Sequence, residues 1–168
     1  WGTALGALLA KKGHDVRLWA LEPEVVDDIC GSRENRTYLP GVHLPQNLQA
    51  TDDLGEALED ADVVVSVSPS QFVARVMAEA AQYIPEDALI VSASKGIEIA
   101  TLRRMDEVMQ SVLTPKHSER LCVLSGPSFA VEVAQETPTA VVVASVSAPS
   151  ALRVQDLFQT GYFRVYTG

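Results

Sequence analysis

Leu121-Cys122-Val123-Leu124-Ser125-Gly126-Pro127-Ser128-Phe129-Ala130 joins an apolar run to a Ser-Gly-Pro-Ser break. The run reads as a buried strand, and the break after it can start a helix with free backbone N–H groups turned outward. Such a helix start favours anions, because unpaired amides and the positive end of the macrodipole face the ligand together. Upstream, Leu89-Ile90-Val91-Ser92-Ala93-Ser94-Lys95-Gly96 does something similar: a strand delivers one lysine and one glycine to its carboxyl end. In open α/β sheets ligands collect just past those ends. One end carrying a cation and another carrying amides predict a pocket for a small phosphorylated ligand.

Outward from these two stretches the chain alternates between helical and strand-like segments. Residues 3–12 read as a helix, closed by Lys11, Lys12 and Gly13. Residues 15–20 read as a strand, and Pro23 suits the first position of a helix with Val25, Val26, Ile29 and Cys30 on one face. Residues 34–50 read as irregular, broken by Pro40, Gly41 and Pro45. Thr51 or Asp52 is expected to cap a short helix over 53–60. Val63–Val67 is a β-branched run of the kind buried on both faces. Pro69 ends it, and Phe72, Val73, Val76, Met77 and Ala80 trace a helical stripe. Strands are then expected at 89–93, 121–124, 140–144 and 162–166, with helices at 99–113, 128–135 and 148–159. The alternation predicts one α/β domain, doubly wound about a mostly parallel sheet covered on both faces.

A length of 168 residues with 47% hydrophobic and 21% charged residues fits one ordinary globular domain. The net charge of −9 argues against a nucleic-acid partner, which would call for a basic face. An anionic ligand must therefore be drawn by local charge, for which Lys95 is the candidate. Apolar runs such as 140–144 are too short to span a bilayer, and no cationic-then-apolar leader opens the chain. Cys30 and Cys122 read as buried free thiols of a reducing compartment, so a cytoplasmic location is expected. A start at Trp1-Gly2 with no strand before it, and a stop just after a strand, read as a fragment.

Several residues allow two readings. Gly2 suits either a plain helix start or the last glycine of a dinucleotide-binding fingerprint, where the helix packs closely on a strand. Glu22 lies near where that fingerprint expects an acid, yet equally suits the first turn of the helix at Pro23. Lys95 is either an exposed strand-end lysine or, as favoured here, a ligand contact made accessible by Gly96. Ser92-Ala93-Ser94-Lys95 matches a Ser-x-x-Lys pattern that requires a helix start, whereas the apolar run predicts a strand end. Gly126-Pro127-Ser128 lacks the second glycine of a nucleophile elbow and no histidine follows Ser128, which leaves that serine as a hydroxyl donor. His14, His43 and His117 are expected in turns or loops and form no spaced cluster, so no metal site is expected. The acids of 52–62 read as caps and a solvated face. Phe72, taken alone, reads as core.

Taken together, Trp1-Gly2-Thr3-Ala4-Leu5, Val16-Arg17-Leu18-Trp19, Glu34-Asn35-Arg36-Thr37-Tyr38-Leu39-Pro40-Gly41, Pro69-Ser70-Gln71, Ser94-Lys95-Gly96-Ile97-Glu98 and Ser125-Gly126-Pro127-Ser128-Phe129-Ala130 resemble the NAD(P)-dependent glycerol-3-phosphate dehydrogenases. Pro138-Thr139-Ala140 and Phe163-Arg164-Val165-Tyr166 extend the likeness over the whole length. The resemblance implies a truncated Rossmann-type NAD(P)-binding domain over residues 1–168, with the first strand missing in front and a helical substrate domain missing behind. It implies cofactor contacts at Trp1, Leu21, Phe72, Lys95 and Ala130, and substrate contacts at Lys95, Gly126 and Ser128. The proton-acceptor lysine of the family is expected beyond Gly168, so this chain alone is expected to be inactive, and the missing first strand, the central partner of such a sheet, is expected to leave it poorly folded. The implied activity interconverts sn-glycerol 3-phosphate and dihydroxyacetone phosphate, feeding glycerophospholipid synthesis; a homodimer is admitted rather than required. Leu21 stands where many bacterial members carry a basic residue for the 2′-phosphate of NADP, which leans toward NAD. Ser68 and Ser94 are minor departures from a usual apolar residue and a threonine. The rival readings are a ketopantoate-type or β-hydroxyacid dehydrogenase, and a non-catalytic dinucleotide-binding module.

Overall fold

A computed structural model describes residues 1–168. Its centre is α1 (Gly2–Lys11), whose residues Thr3 to Ala10 are all buried. A helix apolar on every side belongs in an interior, and α1 serves two cores at once. Leu5, Leu8 and Leu9 enter the larger one, while Ala7 and Ala10 enter a second with Val25, Ile29, Leu44 and Leu48.

The strands fall into two hydrogen-bonded groups. β1 (Val16–Trp19) pairs in parallel with β2 (Leu48–Thr51), the two being linked through α2 (Pro23–Ser32). The second group, β3 (Val63–Ser66), β4 (Leu89–Ser92), β5 (Cys122–Ser125), β6 (Thr139–Ser145) and β7 (Phe163–Thr167), lies side by side in chain order. β3, β4 and β5 are parallel; β6 reverses against β5, and β7 runs parallel to β6. The remaining helices are α3 (Leu54–Leu58), α4 (Val73–Ala80), α5 (Met105–Gln110), α6 (Pro115–Ser118), α7 (Ala130–Ala134) and α8 (Ala148–Phe158). The α/β class and the mostly parallel sheet are as expected. None of the helices is long and apolar enough to cross a membrane.

Several expectations need correction. The irregular stretch 34–50 ends in β2, because its proline and glycine breaks all precede Leu48 and leave Leu48–Thr51 free to pair. The helix expected over 99–113 begins only at Met105. Before it, Leu102 adopts a positive φ of 56°, Ile97 pairs with Arg104 across a loop, and Glu107 caps the Arg104 amide. The cap of α3 is Asp53, whose Oδ1 accepts from the Glu56 amide at 2.9 Å, while Thr51 Oγ1 accepts from the Asp53 amide. Cys30 is exposed rather than buried, since the buried face of α2 is carried by Val25 and Ile29. Cys122 is buried as expected. Substituting Asp53 by alanine is expected to cost about 1 kcal/mol, read as a lower midpoint in urea unfolding with an unchanged slope.

Helices cover β3 and β4 on both sides: α1 on one, and on the other α4 and α5, through Val73, Met77, Met105, Val108 and Met109. The sheet is not covered on both faces throughout. Thr139, Val141 and Val143 of β6 are buried, but Ala140, Val142 and Ala144 are exposed on its other side, beside exposed Tyr166 of β7. His117, expected in a turn or loop, lies in α6 and is buried. Its Nε2 lies 3.0 Å from the Pro85 carbonyl and its Nδ1 3.0 Å from Thr114 Oγ1. A carbonyl only accepts, so Nε2 carries the proton, and the ring is a satisfied core histidine.

Candidate active site

β4 runs into Ala93, whose amide donates to the Ser66 carbonyl and keeps the chain in register one residue past the strand. At Gly96 the backbone turns with φ +98°, a left-handed conformation that glycine adopts without a side-chain penalty. That turn leaves Lys95 at the end of the sheet. Its Nζ donates to Ser128 Oγ at 3.0 Å and to the Gly126 carbonyl at 3.1 Å.

On the neighbouring strand, β5 ends at Ser125 and the chain folds closely over β6. A Cβ on Gly126 would lie 2.9 Å from Val141 Cα and 3.0 Å from the Ala140 carbonyl, so only glycine fits there. Ser128 is buried, and its hydroxyl donates to the Gly126 carbonyl at 3.3 Å while accepting from Lys95. The expected helix over 128–135 is shortened to α7, with Phe129 at its cap. Pro127 has no N–H, so the row of amides anticipated from the sequence is interrupted. The amides of Gly126, Ser128 and Phe129, which flank it, donate to no protein acceptor.

The structure thus brings Lys95, Gly126 and Ser128 into direct contact, and adds Trp1. The Trp1 ring centroid lies 5.0 Å from Lys95 Nζ, and its Nε1 donates to the Ala93 carbonyl at 3.1 Å. A cation this close to an indole face is attracted by the ring quadrupole. Burial of the ammonium end holds Lys95 below the usual lysine value. No carboxylate lies within ion-pair distance of it, although the chain carries a net charge of −9. Lys95 is itself exposed, and a cation whose protein partners are a carbonyl, a hydroxyl and an aromatic face is open to an anionic ligand. Beside it opens a cleft of about 620 Å³, lined among others by Lys95, Ile97, Arg104, Ser125 and Gly126.

The other predicted residues stand apart from this cluster. Leu21, just after β1, is exposed. Phe72, at the cap of α4, is 53% exposed and so is not the core residue its pattern suggested. Ala130 is half-buried in the first turn of α7. Glu22 caps α2 in extended backbone, and its carboxylate accepts from the Tyr38 hydroxyl at 2.7 Å. That bond pushes the Tyr38 phenol up from its ordinary value. A Cβ on Gly2 would meet Val67 at an ordinary 3.5 Å, so close helix–strand packing does not by itself demand glycine there. Sequence reasoning missed the Trp1–Lys95 contact and the hydrogen bonds of Gln71 to the Ile97 carbonyl and the Ile99 amide; the only signal for the latter was its place in Pro69-Ser70-Gln71, just past β3.

With this geometry in view, residues 1–151 match the family model described as NAD-dependent glycerol-3-phosphate dehydrogenase N-terminus. The chain belongs to this family. Glycerol-3-phosphate dehydrogenase (NAD(P)+) of Citrifermentans bemidjiense is 52% identical over 166 residues, covering 99% of this chain and 50% of the relative. The Geobacter metallireducens enzyme of the same name is 53% identical over 167 residues, with 99% and 50% covered. Among solved structures, glycerol-3-phosphate dehydrogenase from Coxiella burnetii superimposes with a TM-score of 0.91 at 34% identity, over 100% of this chain and 50% of that one. The chain spans about half the length of the curated relatives it matches. A ketopantoate reductase from Ralstonia eutropha, one of the rival readings, shares the fold with a TM-score of 0.70 at 18% identity. That likeness concerns the fold alone. The glycerol-3-phosphate dehydrogenase family assignment rests on the sequence match along the chain.

Proposed function

We propose that residues 1–168 form the cofactor-binding half of an enzyme that interconverts sn-glycerol 3-phosphate and dihydroxyacetone phosphate with NAD(H) or NADP(H). The observation that carries this reading is the convergence of the Lys95 ammonium on Ser128 and Gly126 with no carboxylate to neutralise it. A phosphorylated three-carbon substrate offers what that cluster lacks: negative charge and acceptor oxygens.

The residues present fit a dinucleotide. α1 begins with no capping side chain and no first-turn acid, so its orphan amides and positive dipole end are open to a pyrophosphate. Leu21 and Phe72 present exposed apolar surface just past β1 and β3, where adenosine and nicotinamide ends would rest. Trp1 and Ala130 complete the proposed cofactor contacts. Neither Leu21 nor Glu22 supplies a cation for a 2′-phosphate, and Glu22 is held by Tyr38, so NAD is the preferred partner.

When bound, the nicotinamide supplies the hydride chemistry, and the protein supplies orientation and charge. Lys95 fixes the substrate and favours negative charge on the reacting oxygen. Ser128 orients the Lys95 ammonium by accepting a hydrogen bond from it, and the free amides around Pro127 are available to substrate oxygens. The proton exchanged with the substrate hydroxyl passes to a lysine in the other half of the protein.

That other half is proposed to be a helical domain, and the exposed apolar face of Ala140, Val142, Ala144 and Tyr166 is a surface suited to it. A strand ahead of Trp1, seated between β1 and β3, would join the two strand groups; β1 pairs only with β2 and β3 only with β4. A cytoplasmic site of action, supply of glycerophospholipid synthesis and a possible homodimer belong to the same proposal. Full-length protein mixed with dihydroxyacetone phosphate is expected to oxidise NADH faster than NADPH at equal concentration, followed by absorbance. Oxidation of neither cofactor overturns the proposed function, and preference for NADPH overturns the cofactor choice.

A further inference from the structure

Residues 97–103 form a loop that folds mainly on itself. Ile97 bridges to Arg104, the Glu98 amide donates to the Arg103 carbonyl, and the Leu102 amide donates to the Glu98 carbonyl. Arg103 adds an ion pair to Glu98 at 3.1 Å. Its side chains Ile97, Ile99 and Leu102 are exposed, so apolar packing does little to fasten it. Beyond its own span and the start of α5, its hydrogen bonds run to one side chain. Gln71 Nε2 donates to the Ile97 carbonyl at 2.9 Å, and Gln71 Oε1 accepts from the Ile99 amide at 3.0 Å. The same Nε2 donates to Ser70 Oγ at 2.9 Å, and Ser70 Oγ is also the atom a Cβ on Gly96 would meet at 3.3 Å. The turn after β3 therefore grips the turn after β4 immediately downstream of Lys95.

We propose that Gln71 is a positioning residue for Lys95: its two-point clamp on Ile97 and Ile99 fixes the Gly96 turn and so holds the ammonium against Ser128 and Gly126. An amide side chain suits this place because it donates to a carbonyl and accepts from an N–H with one planar group; glutamate keeps only the second bond, and alanine neither. No hydrogen bond joins Gln71 to Lys95, Gly126 or Ser128, so its effect on the chemistry must travel through the turn. This inference rests on the reading of Lys95 as a substrate contact, and the test separates the two.

In full-length protein, Gln71→Ala is expected to lower kcat/KM for dihydroxyacetone phosphate by about tenfold to a hundredfold, the scale of a small misplacement at a reacting centre. The KM for reduced nicotinamide stays within twofold, which is about the experimental spread, and Gln71→Glu falls between. In a Lys95→Met background, Gln71→Ala should add no further loss, because the group it positions is gone. Independent, multiplicative losses, or unchanged kinetics in a folded Gln71→Ala protein, overturn the proposal. A second readout needs no turnover: acylation by an N-hydroxysuccinimide ester, mapped by mass spectrometry, should change several-fold at Lys95 in Gln71→Ala while the other lysines keep their rates. Equal labelling of Lys95 overturns the clamp; altered labelling in a protein without activity upholds the clamp and overturns only the proposed reaction.

Discussion

Replacing Lys95 by methionine in the full-length enzyme is expected to lower kcat/KM for dihydroxyacetone phosphate by about 10²–10³-fold, the scale of losing one preorganised charge donor. Methionine keeps the stem but removes the ammonium that meets Ser128 Oγ, the Gly126 carbonyl and the Trp1 ring. The fold should survive, since Lys95 makes no ion pair and the side chain lies at the end of a strand. Ser128 then loses a donor but still bonds to the Gly126 carbonyl. The pH profile offers an independent reading of the same group. Burial disfavours the charged amine, so Lys95 gives up its proton at a lower pH than a free lysine. Activity that needs the cation is therefore greatest below this lowered pKa and falls as pH rises through it, earlier than an ordinary lysine would dictate. Lys95→Arg, whose charge persists at high pH, should shift that alkaline limb upward while leaving an overall loss from changed geometry. A Lys95→Met enzyme within twofold of the parent, a change of the order of measurement scatter, would refute the assignment.

The second large effect is structural. Gly126→Ala is expected to destabilise the protein by about 3 kcal/mol, the upper part of the range for overpacking. The atoms that its Cβ would strike at 2.9 and 3.0 Å are backbone atoms of Val141 and Ala140. They belong to β6, which is hydrogen-bonded to β5 on one side and β7 on the other, so it cannot step aside without breaking a ladder. Moving Gly126 instead carries its carbonyl and Ser128 away from Lys95. Loss of stability and loss of substrate affinity should therefore appear together, in thermal unfolding and in the KM for dihydroxyacetone phosphate. Gly31→Ala is the control, because a Cβ there meets nothing within 4 Å and sits in α2, where alanine is the better helix former. Equal melting temperatures for Gly126→Ala and Gly31→Ala would contradict the argument.

The parts of this fold that the sequence announced are those written in local periodicity. The apolar runs at Val63, Leu89 and Cys122 became β3, β4 and β5, and the stripe at Val73, Met77 and Ala80 became the buried side of α4. β2 escaped notice because Leu48-Gln49-Ala50-Thr51 is short and follows several breakers, so pairing with β1 rather than its own pattern makes it a strand. The helix over 99–113 was overdrawn for a related reason. Its residues suit a helix locally, but the Arg104–Glu107 cap and the bridge from Ile97 to Arg104 start it late. Lys95 and Ser128 were readable because each follows an apolar strand and parallel strands bring their carboxyl ends together. That the two touch is a tertiary fact, as is the Trp1 ring beside them. Gln71 left no mark of its own, since a polar residue after a strand is ordinary until its two partners on another loop are seen. The reversal of β6, likewise, depends on pairing choices that a run of valines does not record.

The split between the two strand groups has a mechanical consequence. No ladder crosses from β1 to β3, and the interior shared by the two sides is largely the body of α1. Helices carry the link between the two groups instead: α1 gives side chains to both cores, and α3 touches β1 and β2 on one side and α4 on the other. A large-to-small change inside α1 therefore loosens two interiors at once, because close-packed cores transmit strain through whatever element they share.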